Sequence, residues 1–244
     1  MMIWLWLLLT GPASAQTAAP APSAAAAAGS VVRSKEWVVR RKPHREEEFI
    51  GDVSYRSGPD HFNSDWALYR AENQTWQARG RIRMQRGLKS GDIVVANGET
   101  AQYDQKTKRG ALVGAHGGPV AFERIVSTGS PDFGSALRLD WTGQQRARLT
   151  GGVHIWGPRI ELWGLEAVYT AGVVSTATAP SVRGDEGTLT VSGGRPVLRL
   201  LQGDWTGAVQ ADRLTGKQNP DRLYADGKAR GWIRFKEKLS SIMK

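Results

Sequence analysis

The sequence contains no cysteine, and that absence excludes disulfide staples, thiolate metal sites, iron–sulfur clusters and cysteine nucleophiles. The fold has to be held by its core alone. Histidine is sparse too: His44, His61, His116 and His154 are scattered, with no pair four residues apart and no HExxH, so no metal site is expected. There is no GxSxG elbow, and Gly216-Lys217 and Gly227-Lys228 lack the rest of a phosphate cradle. Acidic neighbours such as Asp185 and Glu186 sit beside glycine and read as turn residues, and no pair of carboxylates is singled out for glycosidase-type chemistry. Neither catalysis nor a bound cofactor is expected. Helical signals with caps are almost missing, leaving residues 40–48 and the last residues as the helix candidates.

What is present describes a globular, turn-rich chain. Hydrophobic residues make up 40%, with 29 glycines and ten tryptophans, which is too apolar for a fully disordered protein. A length of 244 residues fits one all-β domain. The 33 basic and 23 acidic residues leave a formal charge of +10, which favours an anionic partner. Division by region weakens that reading. Residues 31–48 carry +2 and residues 228–244 carry +5, while the long stretch 49–227 carries only +3.

Residues 3–9 (IWLWLLL) form an apolar run, followed by Gly11-Pro12 and the small residues Ala13, Ser14 and Ala15. This pattern predicts a secretory signal peptide over residues 1–15 with cleavage before Gln16. The run is shorter than the roughly 20 apolar residues that a spanning helix needs. Without cysteine, no lipid can be attached at the cleavage site. Residues 16–48, an Ala/Pro/Ser stretch and then alternating basic and acidic blocks, are expected to be a flexible extension.

From Phe49 onward the hydrophobic period is two. Ile82 and Met84, Leu137 and Leu139, Val153 and Ile155, and Ile160 and Leu162 alternate with polar residues, as in strands with one buried face. Turn chemistry separates them at residues 57–60, 89–92, 97–98, 117–119 and 193–194. Glycine-led strands recur at Gly51, Gly80, Gly118, Gly151 and Gly231, in steps of about 29 to 38 residues if one unit near Gly193 is missing. An alanine followed two residues later by tyrosine recurs at Ala67/Tyr69, Ala101/Tyr103 and Ala167/Tyr169, and Asp-Trp-Thr-Gly occurs at residues 140–143 and 204–207. One such unit cannot bury its apolar face alone, so the units are expected to stack into one continuous core. The expected fold is an all-β, repeat-built antiparallel jellyroll.

The ordered series Gly98, Ala101, Tyr103, Asp104, Thr107 and Gly110, then Ala147 to Ile155 with its Thr-Gly-Gly-Val, then Ala225 to Ala229, resembles the OstA-like domain of LptA-type lipopolysaccharide transport proteins. The resemblance covers roughly residues 49–235, with 236–244 left as a tail. It implies a jellyroll, open or V-shaped along one seam, that shields acyl chains of lipopolysaccharide in the periplasm. The loops at 125–135 and 175–187 have no match in that pattern. Two further readings stay open: an LptC-like subunit of the same export system held at the inner membrane by an uncleaved N-terminus, and a structural envelope β-repeat protein with no lipid ligand.

Parity places Val53, Tyr55, Ile82, Met84, Val120, Phe122, Leu137, Leu139, Trp141, Val153, Ile155, Ile160 and Leu162 on the inward faces of their strands. These residues, Leu137 excepted, are the candidate lipid contacts; plain core is the alternative for each. Burying acyl chains contributes roughly 0.8 kcal/mol per methylene without directional contacts, so no sharp motif is required. Arg79, Arg81 and Arg83 near Trp76 imitate a nucleic-acid strip, but an exported protein does not meet nucleic acid. Arg81 and Arg83 are instead candidate contacts for lipid phosphates at the groove rim. Edge strands are expected near residues 49–55 and 231–235. By edge-strand addition they would join other OstA-like domains of the export machinery, or copies of this chain in a head-to-tail oligomer.

Overall fold

A computed structural model of the chain describes residues 30–87, 92–126, 130–143, 146–171, 187–217 and 222–235. Their strands, in chain order, are β1 (Ser30–Arg33), β2 (Glu36–Arg40), β3 (Glu46–Ser57), β4 (Asp60–Arg70), β5 (Thr75–Gly87), β6 (Ile93–Asp104), β7 (Arg109–Val113), β8 (Val120–Ile125) and β9 (Asp132–Ala136). They continue with β10 (Arg138–Thr142), β11 (Arg146–Trp156), β12 (Ile160–Ala171), β13 (Gly187–Ser192), β14 (Val197–Gln202), β15 (Trp205–Gln210), β16 (Arg213–Lys217), β17 (Arg222–Asp226) and β18 (Arg230–Phe235). Among the described residues a single 3-10 turn, Ala115–Gly117, interrupts them. All pairings are antiparallel, and the fold is all-β and jellyroll-like.

The pairing register resolves the sheet into two layers. In the first, β2 lies beside the N-terminal half of β3, then the C-terminal half of β4, the N-terminal half of β5, the C-terminal half of β6, and β7. That layer continues through β10, the N-terminal half of β11, the C-terminal half of β12, β13, β16 and β17. The second layer holds β1, the remaining halves of the long strands, and β8, β9, β14, β15 and β18. Each long strand therefore crosses from one layer to the other, and the crossings line up as a row of corners.

Every second corner along the row has a common backbone chemistry. Consecutive residues in left-handed conformation occur at Gly51/Asp52, Gly80/Arg81, His116/Gly117, Gly151/Gly152, Gly193/Gly194 and Gly227/Lys228. Within the long strands β3, β5 and β11 the ladder register shifts at these pairs, between Ile50 and Val53, Arg79 and Ile82, and Thr150 and Val153, which is how a bulge bends a strand. Glycine is needed for more than its φ at Gly151 (+83°), where a Cβ would lie 2.7 Å from Leu137 Cβ on the neighbouring chain segment. A backbone hydrogen bond repeats across the row: Lys35 N–H to Gly51 O (2.9 Å), Leu137 to Gly151 (3.2 Å), Leu165 to Gly193 (3.2 Å) and Asp212 to Gly227 (3.3 Å).

Small residues sit close to the corners, as Ala67, Ala78, Ala101 and Ala167 do, and all are buried. Tyr69, Trp76, Tyr103 and Tyr169 follow two residues farther out. The recurring Ala-x-Tyr element is thus two successive inward positions of one strand, with alanine beside the corner in a row shared with Phe49, Leu112, Leu139 and Leu149, and the ring one step farther out. Where an aromatic ring crosses to the next strand, glycine makes room, as Gly110 does under Trp141 and Gly134 under Phe122.

Several expectations change. Paired backbone begins at Ser30, so residues 30–40 of the expected extension are strands β1 and β2, and residues 46–48 open β3. Residues 40–48 are strand, loop and strand, with no helix. The turn chemistry at 97–98, 117–119 and 193–194 marks corners, whereas that at 57–60 marks a true hairpin. The unit near Gly193 is present. Leu137 is the corner residue between β9 and β10 and is 46% exposed, because alternation does not carry through a corner. The signal peptide (1–15), most of the expected loop at 175–187 and the tail (236–244) lie outside the described residues.

Candidate functional site

Val53, Ile82, Val120, Phe122, Val153, Ile155, Ile160 and Leu162 all point inward from the second layer and are buried. Tyr55 and Met84 share that face and are half-buried. Leu139 and Trp141 stand on the first layer, the former buried and the latter half-buried. The structure therefore brings the candidate contacts together as one lining and its opposite wall, and all of them except Tyr55 belong to a single cluster with Phe49, Leu112, Leu149, Tyr169, Val191, Leu198 and Leu214.

Parity reading missed most of the first-layer wall. There Trp37 stacks on Phe49 (6.3 Å), Phe49 on Trp76 (6.0 Å), and Trp76 packs against Tyr69 (4.8 Å). The Ala-x-Tyr element was the available signal for it. Across the cleft, burial first and then the nearby Tyr55 push the Tyr103 hydroxyl above its ordinary value.

The lining stays open at the two ends of the stack. Trp37 on β2 is 60% exposed, and Ile233 and Phe235 on β18 are 65% and 70% exposed, although their ladder partners Phe49, Gly207 and Trp205 lie on inner faces. Strand β18 pairs with β15 and β17 with β16, and each has a free edge among the described residues. The other end is β1 and β2, which pair with residues 54–57 and 46–50 of β3 and so cover the edge that was expected near residues 49–55.

Polar groups enter the interior at the ends of the arms farthest from the corners. Glu47, 2% exposed, accepts a hydrogen bond from Arg45 Nη2 (3.1 Å). Arg124 donates through Nε to Asp92 Oδ2 (3.1 Å) and also through Nη2, both residues being buried. Burial pushes the carboxyls of Asp60 and Asp132 above the usual range, with Arg86 and Arg124 respectively opposing the shift.

The expected row of arginines does not form. Arg79 lies on the outer face of the first layer with its guanidinium 4.3 Å from the Trp66 ring centroid. Arg81 is the corner residue, 79% exposed in its side chain, and ion-paired to Asp65 (2.5 Å) with Asp52 at 4.0 Å. Arg83 faces out from the second layer. A corner inserted between them puts the three on different surfaces.

The two outer faces differ. The first layer shows ion pairs such as Arg70–Glu46 and Arg148–Glu166 (2.8 Å each). The second carries a column of stacked rings, Phe133 on Trp156 (5.8 Å), Trp156 on His154 (4.5 Å) and His154 on Trp163 (5.1 Å). His154 is therefore a packing residue held near Glu161 (3.2 Å). Among the described residues no group of three potential ligands is placed to hold a metal, and no helix is long and apolar enough to cross a membrane.

Compared with known proteins, the chain matches no family model and no curated sequence.

Proposed function

We propose that this chain is a non-enzymatic periplasmic carrier or bridge for lipopolysaccharide, which holds acyl chains between its two layers while sugar and phosphate stay in solvent. The observation that carries the reading is the apolar lining that runs the length of the stack and emerges at both ends, at Trp37 and at Ile233 and Phe235. In a closed globular core such inward-facing rings would be capped; a lining exposed at both ends suits a ligand or a partner lining continuing there. The free edges of β17 and β18 suit docking to another OstA-like domain by strand addition.

A second reading, an envelope β-repeat protein without lipid, is favoured by the near-complete burial of Ile82, Ile155 and Val153. Residues packed that tightly need no ligand to satisfy them. The two readings separate on purification followed by lipid mass spectrometry. A carrier retains or takes up lipopolysaccharide in stoichiometric amount, and delipidated protein that takes up none would exclude transport.

A further inference from the structure

At the end of the first layer, the β2–β3 loop, the β4–β5 turn and the start of β3 enclose a cavity of about 300 Å³ lined by His44, Arg45, Glu46, Arg70, Glu72 and Asn73. That volume is at the lower end of what small-ligand sites use. We propose that this cavity binds a phosphate group, and that in the lipid-carrier reading, on which this assignment partly rests, the group is a phosphate of the lipid headgroup.

The carboxylates around the cavity are already engaged. Glu46 accepts from Arg70 Nε (2.8 Å), and Glu72 Oε1 and Oε2 both lie 2.8 Å from His44 Nδ1. The cations have capacity left. Both terminal nitrogens of Arg70 have no hydrogen-bond partner among the described residues, and Arg41 and Lys42 in the same loop form no ion pair there. Lys106 approaches from the next turn, donating to the Glu72 carbonyl (3.1 Å). Guanidinium N–H groups fixed at one end and open at the other suit bidentate recognition of phosphate oxygens.

Position adds a second argument. Arg45 lines the cavity and also holds Glu47, whose carboxylate faces the interior beside Tyr69. A headgroup in the cavity therefore sits at the rim of the first layer, with Arg70 on the outer face and Arg45 linking it to Glu47 on the inner face that carries Phe49, Tyr69 and Trp76. The corner cation Arg81, by contrast, is neutralised by Asp65 and lies at the opposite end of the arms.

The test measures binding of hexa-acylated lipid A, of the same lipid after removal of its phosphates, and of inorganic phosphate, to the full chain and to the double variant Arg70→Gln/His44→Asn. Arg138→Gln, on the outer face, is the control. The proposal expects the phosphorylated lipid to bind about tenfold tighter than the dephosphorylated one, with the difference erased in the double variant and kept in the control. If the double variant does not fold, the wild-type protein still decides: inorganic phosphate should shift the NMR signals of the His44 ring and leave those of His61, His116 and His154 in place. Equal binding of both lipids, or uniform shifts of all four histidines, overturns the site and leaves the carrier reading standing. Binding of neither lipid with a selective His44 shift overturns the carrier reading and identifies free phosphate as the ligand.

Discussion

Arg81 donates through Nε to both carboxylate oxygens of Asp65, at 2.9 and 3.0 Å, across the corner where β5 turns from one layer to the other. This pair holds the Asp65 carboxyl below the usual carboxylate range. A depressed carboxyl contributes stability above its ordinary value, and that contribution is lost as pH falls through the lowered one. Denaturation curves of the protein and of Arg81→Gln should therefore differ slightly at neutral pH and low salt, and converge in acid. Because both groups are solvent-exposed, added salt should also shrink the difference.

The corners depend on left-handed backbone. Gly151→Ala is expected to destabilise the protein by about 1–3 kcal/mol, because the conformation is strained for alanine and the new methyl meets Leu137. Gly143, with φ +56° and open space around it, should cost less when changed to alanine. Urea denaturation of the two variants checks the order.

Burial separates two leucines that sequence parity puts on the same face. Leu139→Ala should cost about 2–5 kcal/mol, since its site is 1% exposed and cannot collapse around the loss. Leu137→Ala should stay within about 0.5 kcal/mol. A reversal of that order in thermal melts would show that the corner lies elsewhere.

Asp132 tests the interior electrostatics. Its carboxyl is pushed up by burial, against the pull of Arg124 and with Asp92 adding to the push. A raised carboxyl favours folding fully only below its ordinary value, and that support is lost as pH rises through the folded one. Asp132→Asn is thus expected to be more stable than the native protein at pH 7, with the advantage vanishing in acid. Asp92→Ala should do the opposite and cost about 3–5 kcal/mol, because it removes the carboxylate that accepts hydrogen bonds from the buried Arg124 guanidinium.

The fold was readable where alternation runs uninterrupted. Ile82, Val153, Ile155 and Leu162 lie inside as their period requires. Corners broke the reading, since two left-handed residues reset the phase: Arg79, Arg81 and Arg83 look like one face in the sequence and occupy three. Strands β1 and β2 were hidden by charge. Arg40 and Lys35 look like a solvated lead-in, yet they pair with Glu48 (2.7 Å) and Asp52 (2.6 Å) on the strand that β1 and β2 cover. Tyr69, Tyr103 and Tyr169 were present as a motif, but Phe49 and Trp76 join that wall only through the register of β3, β4 and β5, which has no one-dimensional signature. The cavity at His44 and Arg70 joins residues from two loops and needs the register of β3 against β4.

The central claim is that acyl chains lie against the inner faces, and the most direct measurement is site-specific photocrosslinking of lipopolysaccharide in cells. A photoreactive residue is placed at Trp76, Tyr103 or Met84, half-buried on the inner faces, or at the outward-facing Gln77 beside Trp76. The account predicts lipid adducts at the three inner positions and none at Gln77. Adducts at Gln77 equal to those at Trp76, or none at any inner position, would contradict it.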